Sequence, residues 1–266
     1  MRRLLPLTAP LLLPLLLAPA SAQPTAEPVP AGLQCLLAAY PDHLCSATAT
    51  TLTWCDGTTM VWDDGVARTF DQQLDAADLE DQMSQRYTPG RAYTVPIPED
   101  HDPGRIRHAP FFTKMYGATQ AEARARLAPV RWLPSSVNTT LQVTSINGVD
   151  RELQAVSDEL DKLPRAITDL VAKTSGTFVW RTVKGTDRRS LHSFGVAIDV
   201  GVAVSDYWKW RNPVDGKYPY RNRIPLEVVE VFERHGFVWG GKWYHFDTMH
   251  FEYRPELLQA SCTSTP

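Results

Sequence analysis

The sequence shows no concentration of positive charge that would suit nucleic acid. Its 27 lysine and arginine residues are nearly balanced by 30 aspartate and glutamate residues, giving a formal net charge of −3 at pH 7. No basic stripe runs along the 266 residues, whereas domains that bind DNA or RNA usually present one. Nucleic acid is therefore a poor candidate partner.

The sequence also lacks an apolar run long enough for a comfortable membrane span. The apolar run at residues 4–17 is short and contains three prolines. Arg2 and Arg3 precede it, and small residues follow at positions 20–22, a pattern typical of a cleaved secretory signal. We expect residues 1–22 to be removed and the mature chain to be exported to the periplasm or beyond, with no stable membrane insertion. An uncleaved anchor is the alternative.

Cysteine is scarce, and no Cys-x-x-Cys pair suggests a structural zinc site. An even number of cysteines in an exported chain favours disulfides, and the four present allow three pairings. Cys35, Cys45 and Cys55 lie near the mature N-terminus, while Cys262 lies almost at the C-terminus. We therefore expect one bridge to join the two ends of the chain, although the sequence does not indicate which cysteine takes part.

No internal repeat organises the chain. After a proline- and alanine-rich tether at 23–32, we expect an N-terminal subdomain at 33–135, a peptidase domain at 136–258 and a short tail at 259–266. Asp56-Gly57 separates two β-prone runs and predicts a hairpin. The expected fold class is α+β, with a small antiparallel sheet flanked by helices.

Further patterns predict individual elements. Residues 71–85 suggest a helix, and a longer one begins with Asp150 as N-cap and runs to about residue 173, broken or kinked at Pro164. Residues 221–236 predict another helix, and residues 177–181 a short strand. The His-Asp-Pro-Gly-Arg sequence at 101–105 has the composition of a rigid loop, which we interpret as a surface turn.

Four residues in the last third have the chemistry of a metal-dependent hydrolase. His192, Asp199 and His250 supply two imidazoles and a carboxylate, a common protein ligand set for catalytic zinc that leaves a position open for water. Asp247 lies three residues before the last histidine and could accept a proton from that water. In an extended strand, His250 would share a face with Glu252, away from the apolar neighbours. The same ligand set tolerates several divalent metals.

These motifs resemble a known family. Ser190-x-His192-x-x-Gly195-x-Ala197-x-Asp199, then Gly240-Gly241-Lys-Trp243, then Asp247-x-x-His250-Phe-Glu252 resembles the D-alanyl-D-alanine carboxypeptidase (VanY-type) zinc peptidases. That family includes phage L-alanyl-D-glutamate endolysins and shares its fold with the hedgehog signalling domain. The resemblance covers roughly residues 140–257.

The resemblance assigns roles to individual residues. It implies one zinc ion held by His192, Asp199 and His250, with Asp247 as the catalytic base. At the position of this base the endolysins carry Asp and the D,D-dipeptidases carry Glu, so the match favours the endolysins. Arg181 would steady the tetrahedral intermediate. Ser190 would support the site.

Two further residues near these motifs are candidates for supporting roles. In an extended run His245 would share the face of Asp247, although a surface or outer-sphere role is favoured. Trp243 could line a substrate groove, although a place in the aromatic core is the default for such residues.

The expected function is hydrolysis of peptide bonds in peptidoglycan stem peptides. The bond could be the terminal D-Ala–D-Ala bond or an internal bond of the L-Ala–D-Glu type. A carboxypeptidase needs a cation for the free carboxylate, and Lys184, Arg188 and Arg189 are near enough in sequence to offer one, which does not decide the question. The alternative is a catalytically silent, zinc-stabilised module that binds cell wall or protein.

Overall fold

The computed structural model describes residues 27–263. The expected signal at 1–22, the first residues of the tether and the end of the tail lie outside the described residues. The helices of the described chain are α1 (Ala31–Ala39), α2 (Phe70–Ala76), α3 (Leu79–Met83), α4 (Ala109–Tyr116), α5 (Gln120–Ala125), α6 (Val149–Leu160), α7 (Arg165–Val171) and α8 (Leu226–Arg234). No helix in this part of the chain is both long and apolar enough to cross a membrane.

The strands form three small antiparallel sheets. They are β1 (Leu44–Ala47), β2 (Thr51–Trp54), β3 (Thr59–Val61), β4 (Leu127–Trp132), β5 (Thr139–Thr144), β6 (Thr174–Gly176), β7 (Ala197–Val200), β8 (Phe237–Trp239) and β9 (His250–Tyr253). The sheet orders are β1-β2-β3, β4-β5 and β6-β7-β9-β8. Small antiparallel sheets combined with helices make an α+β protein, as predicted.

The hairpin and the break at proline agree with the sequence predictions. β2 and β3 pair across the Asp56-Gly57 turn, where Gly57 adopts a φ of +84°. Pro164 separates α6 from α7 and caps the second of them. The predicted N-cap was wrong by two residues, because α6 begins at Val149 after Gly148 and Asp150 lies in its first turn.

Three other boundaries differ from prediction. The helix expected at 71–85 is the pair α2 and α3, because Asp78 starts a new capping box. α8 begins only at Leu226, since Pro225 precedes it in an extended conformation. Residues 177–181 are not a strand, and an isolated bridge instead joins Thr182 to Arg189.

Two disulfides secure the N-terminal part of the chain. Cys35 on α1 is bonded to Cys262, and Cys45 to Cys55. The first bridge joins the two ends of the chain, as predicted.

A continuous hydrophobic core extends through both of the expected domains. It includes residues of α1, such as Leu36, and residues of β9, such as Phe251. Phe251 stacks on Phe232 of α8 with ring centroids 4.0 Å apart. The expected boundary at residue 135 falls between the paired strands β4 and β5, and the division into two domains stays a prediction.

Candidate metal centre

Two adjacent strands and a short 3-10 helix bring three candidate ligands together. Asp199 on β7 and His250 on β9 are cross-strand partners. His192 lies in the 3-10 helix Leu191–Phe194, shortly before β7. One ligand atom from each of the three residues lies within 4.8 Å of the other two. The three residues expected to bind metal therefore form a possible metal site.

Gly195 makes the turn between the 3-10 helix and β7. It adopts a φ of +68°, a left-handed conformation that side chains disfavour. A Cβ at this position would lie 2.9 Å from the backbone nitrogen of Thr144, whose N–H donates to the Gly195 carbonyl over 3.1 Å. Glycine here therefore serves both the sharp turn and the close approach of β5.

The hydrogen bonds of the two histidines orient their inner nitrogens towards Asp199. His192 Nδ1 donates to the Thr177 carbonyl over 3.1 Å, and His250 Nε2 donates to Glu252 Oε2 over 2.9 Å. Both acceptors lack a proton to give, so these nitrogens carry the hydrogen. The inner nitrogens, His192 Nε2 and His250 Nδ1, lie 3.2 and 3.1 Å from Asp199 Oδ1. Two ring lone pairs facing one carboxylate oxygen require either added protons or a cation, so this donor set fits a metal ion.

Electrostatics favour charge at this centre. Burial alone would raise the pKa of Asp199, but hydrogen bonds from His192 and His250 hold that pKa well below its usual range. Burial would lower the pKa of His250, yet its bonds to Asp199 and Glu252 raise the pKa to about 10. Without a metal, a proton on His250 Nδ1 would therefore supply the positive charge that faces Asp199.

Asp247 lies in the same cavity, and one oxygen of its carboxylate has no hydrogen-bond partner in the described chain. Its Oδ1 atom is inaccessible to solvent and has no hydrogen-bond partner among the described residues. Burial raises the pKa of Asp247 to about 6. The nearby charge of His250 opposes this rise in the pKa, and the charge of Asp199 adds to it. The backbone holds the residue firmly, since its N–H donates to Gly240 O over 2.9 Å and its carbonyl accepts from His250 N over 3.1 Å. A half-buried acid whose pKa is raised towards neutral pH is suited to proton transfer.

Arg181 and Ser190 line the cavity from the segment before the 3-10 helix. Arg181 is exposed, and its backbone N–H donates to Ser193 Oγ over 2.9 Å. Ser190 is buried and donates its backbone N–H to the Arg181 carbonyl over 3.1 Å. The Arg181 side chain lines the cavity and makes one long hydrogen bond, from Nη1 to the Thr182 carbonyl over 3.3 Å.

Trp243 and His245 occupy different positions relative to the cavity. Trp243 lines it, with its ring 5.6 Å from that of His250 and its Nε1 donating to Pro103 O over 2.8 Å. His245 is not among the lining residues within the described chain. Its Nδ1 lies 2.7 Å from Asp102 Oδ2, and its backbone N–H donates to Asp102 Oδ1 over 2.9 Å. His245 thus lies behind the cavity wall.

The loop at residues 101–107 forms that wall, so the interpretation of 101–105 as a surface turn was wrong. Asp102 is fully buried. Arg105 lines the cavity and donates from Nη1 to the His245 carbonyl over 3.0 Å. Arg107 also lines it. The sequence Asp-Pro-Gly occurs in buried and in exposed turns alike, so it could not indicate burial. The one signal in the sequence was the spacing of Arg105 and Arg107, since residues two apart share a face in an extended segment and could line one cavity.

A chain of buried charges connects the centre to α1. Glu252, which contacts His250, also pairs with Arg107 and, over 3.1 Å, with Arg254. Burial would raise the pKa of Glu252, but the charge of Arg107 lowers it to about 2. Arg254 then pairs with Glu256, whose Oε2 accepts a 2.6 Å hydrogen bond from the Tyr40 hydroxyl beside α1. The N-terminal part of the chain therefore contributes to holding His250 in place.

The cavity itself measures about 320 Å³ and is rich in cationic side chains. Besides the three candidate ligands, Asp247 and Ser190, its walls include Arg105, Arg107, Arg181, Lys184, Tyr207, Trp210 and Trp243. A cleft with a converging donor set and an acid beside it has the features of a hydrolytic site.

A family model described as D-alanyl-D-alanine carboxypeptidase matches residues 184–253. The matched segment contains the three candidate ligands and Asp247 and ends at the last residue of β9. It supports a peptidase of that family and suggests an action on peptidoglycan. The chain matches no curated protein and no solved structure.

Proposed function

We propose that the protein is an exported zinc-dependent peptidase that hydrolyses peptide bonds in peptidoglycan stem peptides. The observation that carries the proposal is the unpartnered Oδ1 atom of Asp247 in one cavity with the converging His192, Asp199 and His250. The family match over residues 184–253 supports the substrate class. The β6-β7-β9-β8 sheet would then correspond to the sheet of the hedgehog/DD-peptidase fold.

His192, Asp199 and His250 would hold one zinc ion. The Thr177 carbonyl and Glu252 would fix the outer nitrogens of the two rings, so that His192 Nε2 and His250 Nδ1 stay directed inwards. The chemistry that zinc supplies at such a site is Lewis acidity towards water and carbonyl oxygen.

Asp247 would act as general base and then as general acid. Its carboxylate would take a proton from the attacking water and return it to the departing amine. In the metal-free protein burial raises the pKa of Asp247 to about 6, and a nearby cation would lower that pKa, so the group would be ionised at neutral pH and able to accept the proton at the start of each cycle.

The remaining site residues would orient and stabilise. Arg181 lines the cavity, and its guanidinium would stabilise the negative charge that develops on the scissile carbonyl oxygen. Ser190 would keep the Arg181 backbone in register, and Trp243 would form the wall beside His250. His245 would support the site from behind through Asp102 and Arg105.

The cleaved bond would be either the terminal D-Ala–D-Ala bond or an internal bond of the L-Ala–D-Glu type. Export is part of the proposal, and the two disulfides support it because such bonds persist in oxidising compartments. Peptidoglycan is the substrate such an exported enzyme would meet.

A digest of purified peptidoglycan tests the proposal. The chain from residue 23 onwards would be incubated with peptidoglycan and the products identified by mass spectrometry. We expect release of D-alanine or of fragments cut at one internal bond, lost on chelation and restored by zinc. No product from folded, zinc-loaded protein would contradict the proposal and favour a binding module.

A further inference from the structure

A second, larger cavity adjoins the candidate metal centre and is lined by four arginines. It measures about 640 Å³ and shares Arg105, Arg107 and Leu191 with the first cavity. Arg188 and Arg189 complete the set. The whole chain carries a formal charge of −3, so this local concentration of positive charge does not reflect a generally basic protein.

The charge of these arginines is only partly neutralised. Arg107 pairs with the buried Glu252. Arg105 lies 3.6 Å from Asp102, both of whose carboxylate oxygens already receive hydrogen bonds from His245. Arg189 lies 4.3 Å above the Trp180 ring and pairs with no carboxylate in the described chain.

The charge of Arg188 is only weakly compensated. Its one ion pair within residues 27–263 is with Asp75, at 3.5 Å, and the Asp75 side chain is 72% exposed. The contact is made by Nε, a buried atom that forms no hydrogen bond in that range. Burial, and then the nearby charge of Arg105, lower the pKa of Arg188. Apart from Asp75, the acid that lines the cavity is the exposed Asp187.

We propose that this cavity binds a carboxylate group of the substrate, held by Arg188 together with Arg105, while the neighbouring peptide bond lies at the metal centre. Guanidinium groups recognise carboxylates by paired, charge-assisted hydrogen bonds. Because the cavities share three lining residues, and one extended residue spans about 3.5 Å, the carboxylate belongs within a residue or two of the scissile bond. The inference rests on the proposed function.

Two carboxylates of a stem peptide satisfy this chemistry, and matched peptides distinguish them. One pair ends in D-Ala-D-Ala with a free acid or a carboxamide. The other contains an L-Ala–γ-D-Glu bond with the glutamate α-carboxylate free or amidated. The pair in which the free acid is cleaved faster than the amide identifies which carboxylate the cavity binds.

The variants are Arg188→Gln, Arg188→Lys and, as a matched control, Arg165→Gln. Arg165 is an exposed arginine on α7 that pairs with Asp169 and lines neither cavity. We expect Arg188→Gln to lower kcat/KM for the preferred acid by about ten- to a hundredfold and to change it little for the amide. Arg188→Lys, which keeps the charge but not the paired geometry, should fall between, and the control should match the wild type.

Equal cleavage of acid and amide by the wild type, or an equal loss for both in Arg188→Gln, would overturn the inference. Calorimetric titration of each peptide into zinc-loaded Asp247→Asn protein separates it from the proposed function. Suppose that the wild type cleaves none of the peptides, but that the acid binds more tightly than the amide and Arg188→Gln removes this difference. The carboxylate site then stands, and the peptidase proposal fails. Equal binding, or no binding of either form, overturns the carboxylate site.

Discussion

Asp199 and His250 face each other on adjacent antiparallel strands, with Asp199 Oδ1 3.1 Å from His250 Nδ1. The same oxygen lies 3.2 Å from His192 Nε2. Strand pairing therefore fixes two of the three converging groups, and the turn at Gly195 delivers the third. A centre built on backbone register in this way is preorganised before any metal arrives.

Replacing His192 by alanine should remove high-affinity zinc binding, because it deletes one of three converging donors. Loss of a residue that only contacts a metal ligand usually weakens metal binding by about ten- to a hundredfold. The loss of zinc affinity in His192→Ala should be larger than that. Metal analysis after dialysis and competition with a chromogenic chelator would measure it. His235→Ala is the control, since His235 pairs with Glu152 and Glu159 and lies outside the cavity. Equal zinc content in both variants would contradict the ligand assignment.

Glu252→Gln should weaken zinc binding by about ten- to a hundredfold, because the outer nitrogen of His250 loses its charged acceptor. It should also lower the free energy of unfolding, because Arg107 and Arg254 lose a buried charged partner. The loss should be at most about 3–5 kcal/mol, the cost of breaking a buried ion pair, because the amide oxygen can still accept a hydrogen bond. Chemical denaturation and zinc titration measure the two effects.

The matched variant for Glu252 is Glu256→Gln. Glu256 is equally buried and pairs with Arg254 and Tyr40, but it does not contact His250. We expect it to lose stability while keeping zinc affinity within a fewfold of the wild type. A similar loss of zinc affinity in both variants would show that general destabilisation, and not the contact with His250, is responsible.

The activity should fall on the acid side of the pH profile as Asp247 becomes protonated. A general base works only when ionised, so kcat/KM declines as the pH drops through its pKa. Burial raises that pKa to about 6 in the metal-free protein, and a nearby cation lowers the pKa of a carboxyl group. The acidic limb is therefore expected at or below about pH 6. A limb centred above pH 7 in a kcat/KM profile would rule out Asp247 as the base.

The bridge between Cys35 and Cys262 should stabilise the protein more than the bridge between Cys45 and Cys55. Their sequence separations are 227 and 10 residues, and closing the longer loop restricts the unfolded chain more. On the chain-entropy model the difference is roughly 2–3 kcal/mol. Denaturation of the two double cysteine-to-serine variants would compare them. A larger loss from the Cys45–Cys55 pair would indicate that native contacts, not loop closure, dominate.

The sequence was informative where chemistry and local conformation coincide. Asp56-Gly57 specifies a turn through positive φ, and Pro164 separates two helices because proline cannot donate the required hydrogen bond. Strand alternation placed His250 and Glu252 on one face of a strand, and their side chains lie 2.9 Å apart. These features depend on a few adjacent residues.

The rest depended on contacts between distant parts of the chain. Asp102 and His245 are 143 positions apart, and nothing in either local sequence names the other as partner. Arg254 is fully buried, whereas an isolated arginine is expected at the surface. Its burial is possible because Glu252 and Glu256 converge on it in the folded protein.

The role of Asp247 as the general base of a zinc peptidase is tested by comparing zinc-loaded wild-type protein with zinc-loaded Asp247→Asn. Asparagine preserves the shape of the side chain but cannot accept the proton. Zinc content and peptide cleavage would be measured on the same samples, with folding checked by thermal denaturation. We expect one zinc per chain in both proteins and a loss of about 10²–10⁴-fold in kcat/KM for the variant. Undiminished cleavage by Asp247→Asn, or no cleavage by a zinc-loaded wild type, would contradict that role.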